Sequence, residues 1–267
     1  MKNKRLAICL SIFTSLVVLI ILSSAIFALS KVELVFLSNT DELTGLNNQI
    51  VTDANFKKGQ NVLFLNKNSY ISKIEKNNPY IKIINIETIF PNRLVINAVE
   101  RQETFAVKLS NNSYAIIDEE FKVLYIANNF VNSSTNAISL SNLKSLNSST
   151  SAGDILQFDS QQKTLLTQTF ISFREWKDSH DILKDKIASV ELDYERENQI
   201  SVLMRSGVQI VIKDANQFNS DKFNLAFSAY EFDVKYQSSG VLEVRLVNEN
   251  ELRVYYLGKL INMQKYE

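Results

Sequence analysis

The chain has 267 residues, with 29 Lys+Arg against 29 Asp+Glu and no formal net charge, which removes the basic footprint of a general nucleic-acid binder. Hydrophobic residues at 45% and charged residues at 22% fit a chain that folds, not a disordered one. One Cys and one His exclude an intrachain disulfide and a Cys-rich zinc site.

Residues 6–30 (LAICLSIFTSLVVLIILSSAIFALS) carry no charge. As a helix they would extend about 37 Å at ~1.5 Å per residue, enough to cross a bilayer core of ~30 Å. Lys2, Lys4 and Arg5 precede the run; beyond it only Lys31 is close, followed by Glu33. The positive-inside rule therefore places residues 1–5 in the cytoplasm and the rest of the chain outside. The run exceeds the about 7–15 apolar residues of a signal-peptide core, so 6–30 reads as a retained transmembrane helix. Cys9 makes a poor lipidation site, because bulky Ile8 precedes it and the apolar run follows it. Residues 31–267 carry a net charge of −3, which predicts no general attraction to anionic lipid.

Beyond the run, residues 32–37 read as a strand and 41–55 as a short helix. Lys57–Asn61 reads as a turn, Val62–Leu65 as an extended piece, and Asn66–Asn77 as a helix that stops before Pro79. Residues 80–89 and 93–100 read as strands joined at Pro91-Asn92. The order over 31–101 is β-α-α-β-β.

Strands follow at 105–109 and 114–126, turning at Asn111-Asn112 and at Asp118-Glu119-Glu120. The Asn/Ser-rich stretch 127–155 reads as a long irregular connection. A helix starts near Asp159, with Gln162 in capping-box position and Leu166, Phe170, Phe173 and Lys177 at helical spacing. Residues 188–195 alternate, with Ala188, Val190, Leu192 and Tyr194 on one face and Ser189, Glu191, Asp193 and Glu195 on the other. A hairpin turns at Ser206-Gly207, and a helix over 219–232 points Phe223, Phe227 and Tyr230 inward. A last hairpin pairs 241–247 with 252–257 about 248–250.

Little chemistry is available. His180 lies in a polar break, the place of a solvated loop residue. Ser141-Asn142-Leu143-Lys144 matches S-x-x-K but lacks the companion K-T-G and S-D-N motifs. No glycine-rich phosphate loop occurs, and the carboxylates at 118–120 and at 191, 193 and 195 suit a wet surface. No catalytic, cofactor or metal site is expected.

Several segments resemble the FtsQ/DivIB family of bacterial cell-division proteins and its POTRA domain. Gly59 and Asn61 in Lys58–Phe64 are similar to the family's G-x-N-l-f turn, and Pro79-Tyr80-Ile81 to its P-[WY]-[VI] entry. Phe90-Pro91 through Glu100-Arg101 is similar to its aromatic-Pro-x-x-L…E-R run. Ile116-Ile117-Asp118, Ser206-Gly207-Val208 and Leu242-Glu243-Val244-Arg245 resemble later motifs, although the usual glycine after Asp118 is missing. The expected fold is α+β: tail 1–5, transmembrane helix 6–30, POTRA domain 31–101, a mixed β domain with two helices at 102–257, and tail 258–267.

The resemblance implies a non-catalytic scaffold at the division septum. It binds FtsL-like and FtsB/DivIC-like bitopic partners and helps control septal wall synthesis. The final strand has no later strand to cover it in this reading, so its edge is open to a strand from another chain. The expected interface is Leu246, Leu252, Arg253, Val254, Tyr255 and Tyr256, and deletion of 251–267 is expected to leave the rest folded. An anchored wall enzyme, and an anchored POTRA-type adaptor in secretion or sporulation, are the rival readings.

Overall fold

The computed structural model describes residues 2–37, 47–130, 137–143, 149–179, 186–193, 198–217, 219–248, 251–257 and 259–260. The chain divides into two compact units, Met1–Arg101 and Gln102–Glu267.

In the first unit, α1 spans Lys2–Ile26. Among the described residues no helix is long and apolar enough to cross a membrane; within α1 the described side chains cover 10–20 and 24–26. The helix ends earlier than expected. Leu29, placed by the sequence within the apolar span, is 4% exposed and packs in the core of the following domain. Its N–H donates to Gln60 O at 2.8 Å, and its own carbonyl accepts from Gly59 N at 3.1 Å. The folded domain therefore starts near Phe27, not at residue 31.

That domain has the expected order: β1 (Lys31–Phe36), α2 (Asn47–Ala54), α3 (Lys67–Asn77), β2 (Ile81–Ile89) and β3 (Arg93–Glu100). The start of the expected 41–55 helix lies outside the described residues. The sheet order is β1-β3-β2, with β1 parallel to β3 and β2 antiparallel to it. Leu94, Ile96 and Ala98 on central β3 are fully buried with Ile50 and Ile74 of the two helices. In β2, Ile83 and Ile86 both face this core although they are three residues apart. A register shift between Ile83 and Asn85 absorbs the extra residue and leaves Ile84 outside. Val62–Phe64 is a 3-10 turn, not the extended piece expected, because the Asn61 side chain accepts from Leu63 N at 2.9 Å and caps it.

The second unit is built on one ten-stranded sheet. Its strands are β4 (Phe105–Lys108), β5 (Tyr114–Ile117), β6 (Val123–Ala127), β7 (Ile138–Ser141), β8 (Ile187–Asp193), β9 (Gln199–Met204), β10 (Val208–Ile212), β11 (Gly240–Asn248), β12 (Glu251–Tyr256) and β13 (Lys259–Leu260). The order is β13-β12-β11-β10-β9-β8-β7-β4-β5-β6. Helices α4 (Ser160–Ser179) and α5 (Asn219–Ala229) bury their aromatic faces in the same core. Phe170 lies 4.7 Å from Phe105, and Phe173 lies 5.3 Å from Phe223. Asp159 caps α4 by accepting from Gln162 N at 2.8 Å. After α5 one π-helical turn, Tyr230–Val234, keeps Tyr230 buried and turns Phe232 outward.

Two sequence readings change here. The connection 127–155 contains β7, which lies inside the sheet and pairs parallel with both β4 and β8. In β8, Ile187 and not Ala188 is buried with Val190 and Leu192, because the register shifts between Ile187 and Ser189. Tyr194 and Glu195 lie outside the described residues, as does the side chain of Lys177.

Candidate partner-binding edge

The last hairpin alternates by register. Leu242 pairs with Tyr256, Val244 with Val254 and Leu246 with Leu252, while Glu243 faces Tyr255 and Arg245 faces Arg253. Val244 and Val254 are buried in the core, so the first three pairs share the inner face. Of the six interface residues read from the sequence, Leu246, Leu252, Val254 and Tyr256 therefore lie inward, and Arg253 and Tyr255 lie outward. Tyr256 lies across Gly240 and donates its hydroxyl to Ser239 O at 2.8 Å.

The outer face is a lattice of charge around one aromatic ring. The Arg245 guanidinium lies 4.3 Å over the Tyr255 ring. Arg245 and Arg253 hold the Tyr255 hydroxyl below the usual tyrosine range, chiefly through Arg245. Arg253 Nε donates to Glu251 at 2.7 Å and pulls that carboxyl down. Glu243 lies 3.5 Å from both Lys213 and Arg245. Sequence reasoning quoted Arg245 only as part of a strand motif. Its place opposite Arg253, visible once the hairpin register is fixed, was the signal for its role.

The expectation that no later strand covers the edge is corrected. β13 pairs Leu260 with Tyr255 and Lys259 with Tyr256. Residues 259–260 are thus sheet, not tail. Among the described residues no strand pairs with the outer side of 251–254. Because Val254 is 1% exposed in the core, deletion of 251–267 would open that core, contrary to the sequence expectation.

The residues that carry the POTRA resemblance fall at joints. Gly59 takes φ +82° in the loop tied to Leu29, and Asn61 caps the 3-10 turn. Pro79 stands in the turn where Ile81 N donates to Asn78 O at 2.9 Å, and Pro91 in the β2–β3 turn. Glu100 is only half-buried opposite Ile81, whereas Arg101 is 7% exposed. Arg101 donates to Glu75 Oε2 at 3.0 Å, and Glu75 Oε1 accepts from Ile83 N at 2.8 Å. Glu75 had no signal in the sequence beyond an exposed-looking helix position.

Ser141 Oγ lies 3.5 Å from Val190 O at the end of β7, whereas Lys144 and His180 lie outside the described residues. Among the described residues no group of three or more His, Cys, Asp or Glu is placed to hold a metal ion.

Residues 42–101 match the family described as the POTRA domain, FtsQ-type. The chain is also 32% identical over 130 residues to the cell division protein DivIB of Clostridium acetobutylicum, covering 48% of this chain and 50% of that protein. The chain thus spans about half the length of the curated relative it matches. The two comparisons support the FtsQ/DivIB resemblance carried by the motifs.

Proposed function

We propose that the chain is a single-pass scaffold of the bacterial division machinery, of the FtsQ/DivIB type. Its N-terminus is cytoplasmic, α1 crosses the plasma membrane, and both folded units lie outside, enriched at the septum. The positive residues Lys2, Lys4 and Arg5 and the uncharged run after them support this orientation. It acts without catalysis, by binding FtsL-like and FtsB/DivIC-like bitopic proteins and so helping to control septal wall synthesis.

The observation that carries the binding role is the outer side of β12. Among the described residues no strand pairs with the backbone groups of 251–254 that face away from β11, beside Arg245, Arg253 and Tyr255. A strand added there would gain main-chain hydrogen bonds, and Arg and Tyr supply the side-chain area typical of interface hot spots. Co-purification of the full chain from dividing cells, read for FtsL-like and FtsB/DivIC-like proteins, tests the reading. Recovery of both supports it; a chain at the septum that brings down neither contradicts it.

A further inference from the structure

Three backbone ties fold the domain end next to α1 around residues 27–30. Val62 N donates to Phe27 O at 3.0 Å, Leu29 N to Gln60 O at 2.8 Å, and Ser30 N to Asn92 O at 2.9 Å. The 3-10 turn and the β2–β3 turn therefore stand immediately beside the chain that leaves the helix at Ile26. Both turns present apolar side chains to solvent. Phe64 is 84% exposed, Phe90 67% and Leu63 47%, while Val62 and Leu65 of the same turn are buried. Phe90 meets Phe27 edge-on at 6.0 Å. A soluble domain gains nothing by holding two phenylalanines out at one end.

The charges at this end are mostly basic. Lys57 and Lys58 are exposed beside the turn. Lys31 and Arg93 both pair with Glu33, which leaves that trio positive. The net charge of −3 over 31–267 is an average that conceals this end.

We propose that this end of the POTRA domain is a lipid-contact surface. Leu63, Phe64 and Phe90 enter the outer headgroup boundary of the membrane that α1 crosses, and Lys57 and Lys58 lie among lipid phosphates. The proposal rests on the membrane reading of α1. A helix that leaves the bilayer at Ile26 has only a few residues before it reaches these turns. Apolar aromatics with flanking lysines suit the interface between hydrocarbon and water.

The test uses the full chain with Cys9→Ser, carrying one nitroxide-labelled cysteine at a time, in vesicles of phosphatidylcholine and phosphatidylglycerol. The sites are Leu16→Cys within α1, Phe64→Cys and Phe90→Cys at the proposed surface, and Asn77→Cys at the far end of the domain. Asn77 lies beyond a strand length of about 26 Å, at ~3.3 Å per residue. Collisions with oxygen and with a water-soluble nickel chelate are compared. The expected ratio of oxygen to chelate collisions is highest at Leu16, and several-fold higher at Phe64 and Phe90 than at Asn77. A lipid value at Leu16 with Phe64 and Phe90 matching Asn77 overturns the lipid-contact proposal and leaves the anchor standing. Chelate access at Leu16 overturns both.

Discussion

Arg101, just past the end of β3, donates to Glu75 on α3 across 3.0 Å, with side-chain exposures of 4% and 15%. The same guanidinium reaches Ile81 O at 3.4 Å, and Glu75 also accepts from Ile83 N. One ion pair thus pins a helix to two strands of the first unit.

Loss of one partner from a buried pair leaves the other uncompensated, at about 3 kcal/mol. Arg101→Met is therefore expected to cut hydrogen-exchange protection of α3 and β2 amides by about a hundredfold at ~1.4 kcal/mol per tenfold. The double change Arg101→Met with Glu75→Leu is expected to recover much of the loss. Glu100→Lys, at a half-buried position, is expected to change protection far less. An equal effect of Glu100→Lys would move the weight back to Glu100.

The glycines rank by what a methyl group would meet. At Gly207, φ +94°, a Cβ would stand 2.3 Å from the Ser238 carbonyl oxygen, which is backbone and cannot give way cheaply. At Gly59, φ +82°, it would meet nothing within 4 Å. Gly59→Ala should cost about 1 kcal/mol from backbone strain alone. Gly207→Ala should cost more, through displacement of the chain before β11. Hydrogen exchange at β9 and β10 against that at residues 59–62 measures the order; a larger loss at Gly59 would contradict it.

Lys222 is fully buried and donates to Lys213 O at 2.7 Å and Asp214 O at 2.8 Å, closing the exit from β10. Burial pushes its ammonium pKa down. Lys222→Met keeps much of the volume but strips both carbonyls of this donor, so a loss of about 2 kcal/mol is expected. Unchanged exchange of β10 amides would show that the donor is dispensable.

Tyr255 gives a test of the outer face by pH. Its folded pKa is lowered from 10.0, so its ionisation adds stability that is fully present above that value and is lost as pH falls through the lowered one. Tyr125 is pushed up, first by burial and then by Glu103. Titration of labelled tyrosine ring carbons should show Tyr255 ionising before Tyr125. Arg245→Gln should move Tyr255 upward and leave Tyr125 in place. No movement of Tyr255 would place the guanidinium elsewhere.

Much of this architecture was legible because periodicity reports burial. Leu94, Ile96 and Ala98 alternate cleanly, and Ile200, Val202 and Met204 with Val208, Ile210 and Ile212 keep one core face about Gly207, although Ser201 and Val211 on the other face are buried as well. The misses have local causes. β7 offers four residues, of which only Ile138 and Leu140 face the core, too few for alternation to stand out from an Asn/Ser-rich stretch. The shifts in β2 and β8 break the two-residue period that sequence reading relies on. Leu29 was assigned to the anchor because an apolar residue reads alike in a membrane and in a core. At the edge, the strand was readable, but which of its side chains face outward was not, because that depends on the register of Val254 against buried Val244. Nor was the cover by Lys259–Leu260, since two residues carry no pattern.

The most direct measurement is photo-crosslinking from position 253 of the full chain in dividing cells, with benzoylphenylalanine in place of Arg253. The expected product joins the chain to an FtsB/DivIC-like bitopic protein. Prior occupation of the edge by a peptide of that partner's strand should abolish it. If the FtsB/DivIC-like protein instead crosslinks only from sites away from β12 and never from position 253, the partner does not use this edge.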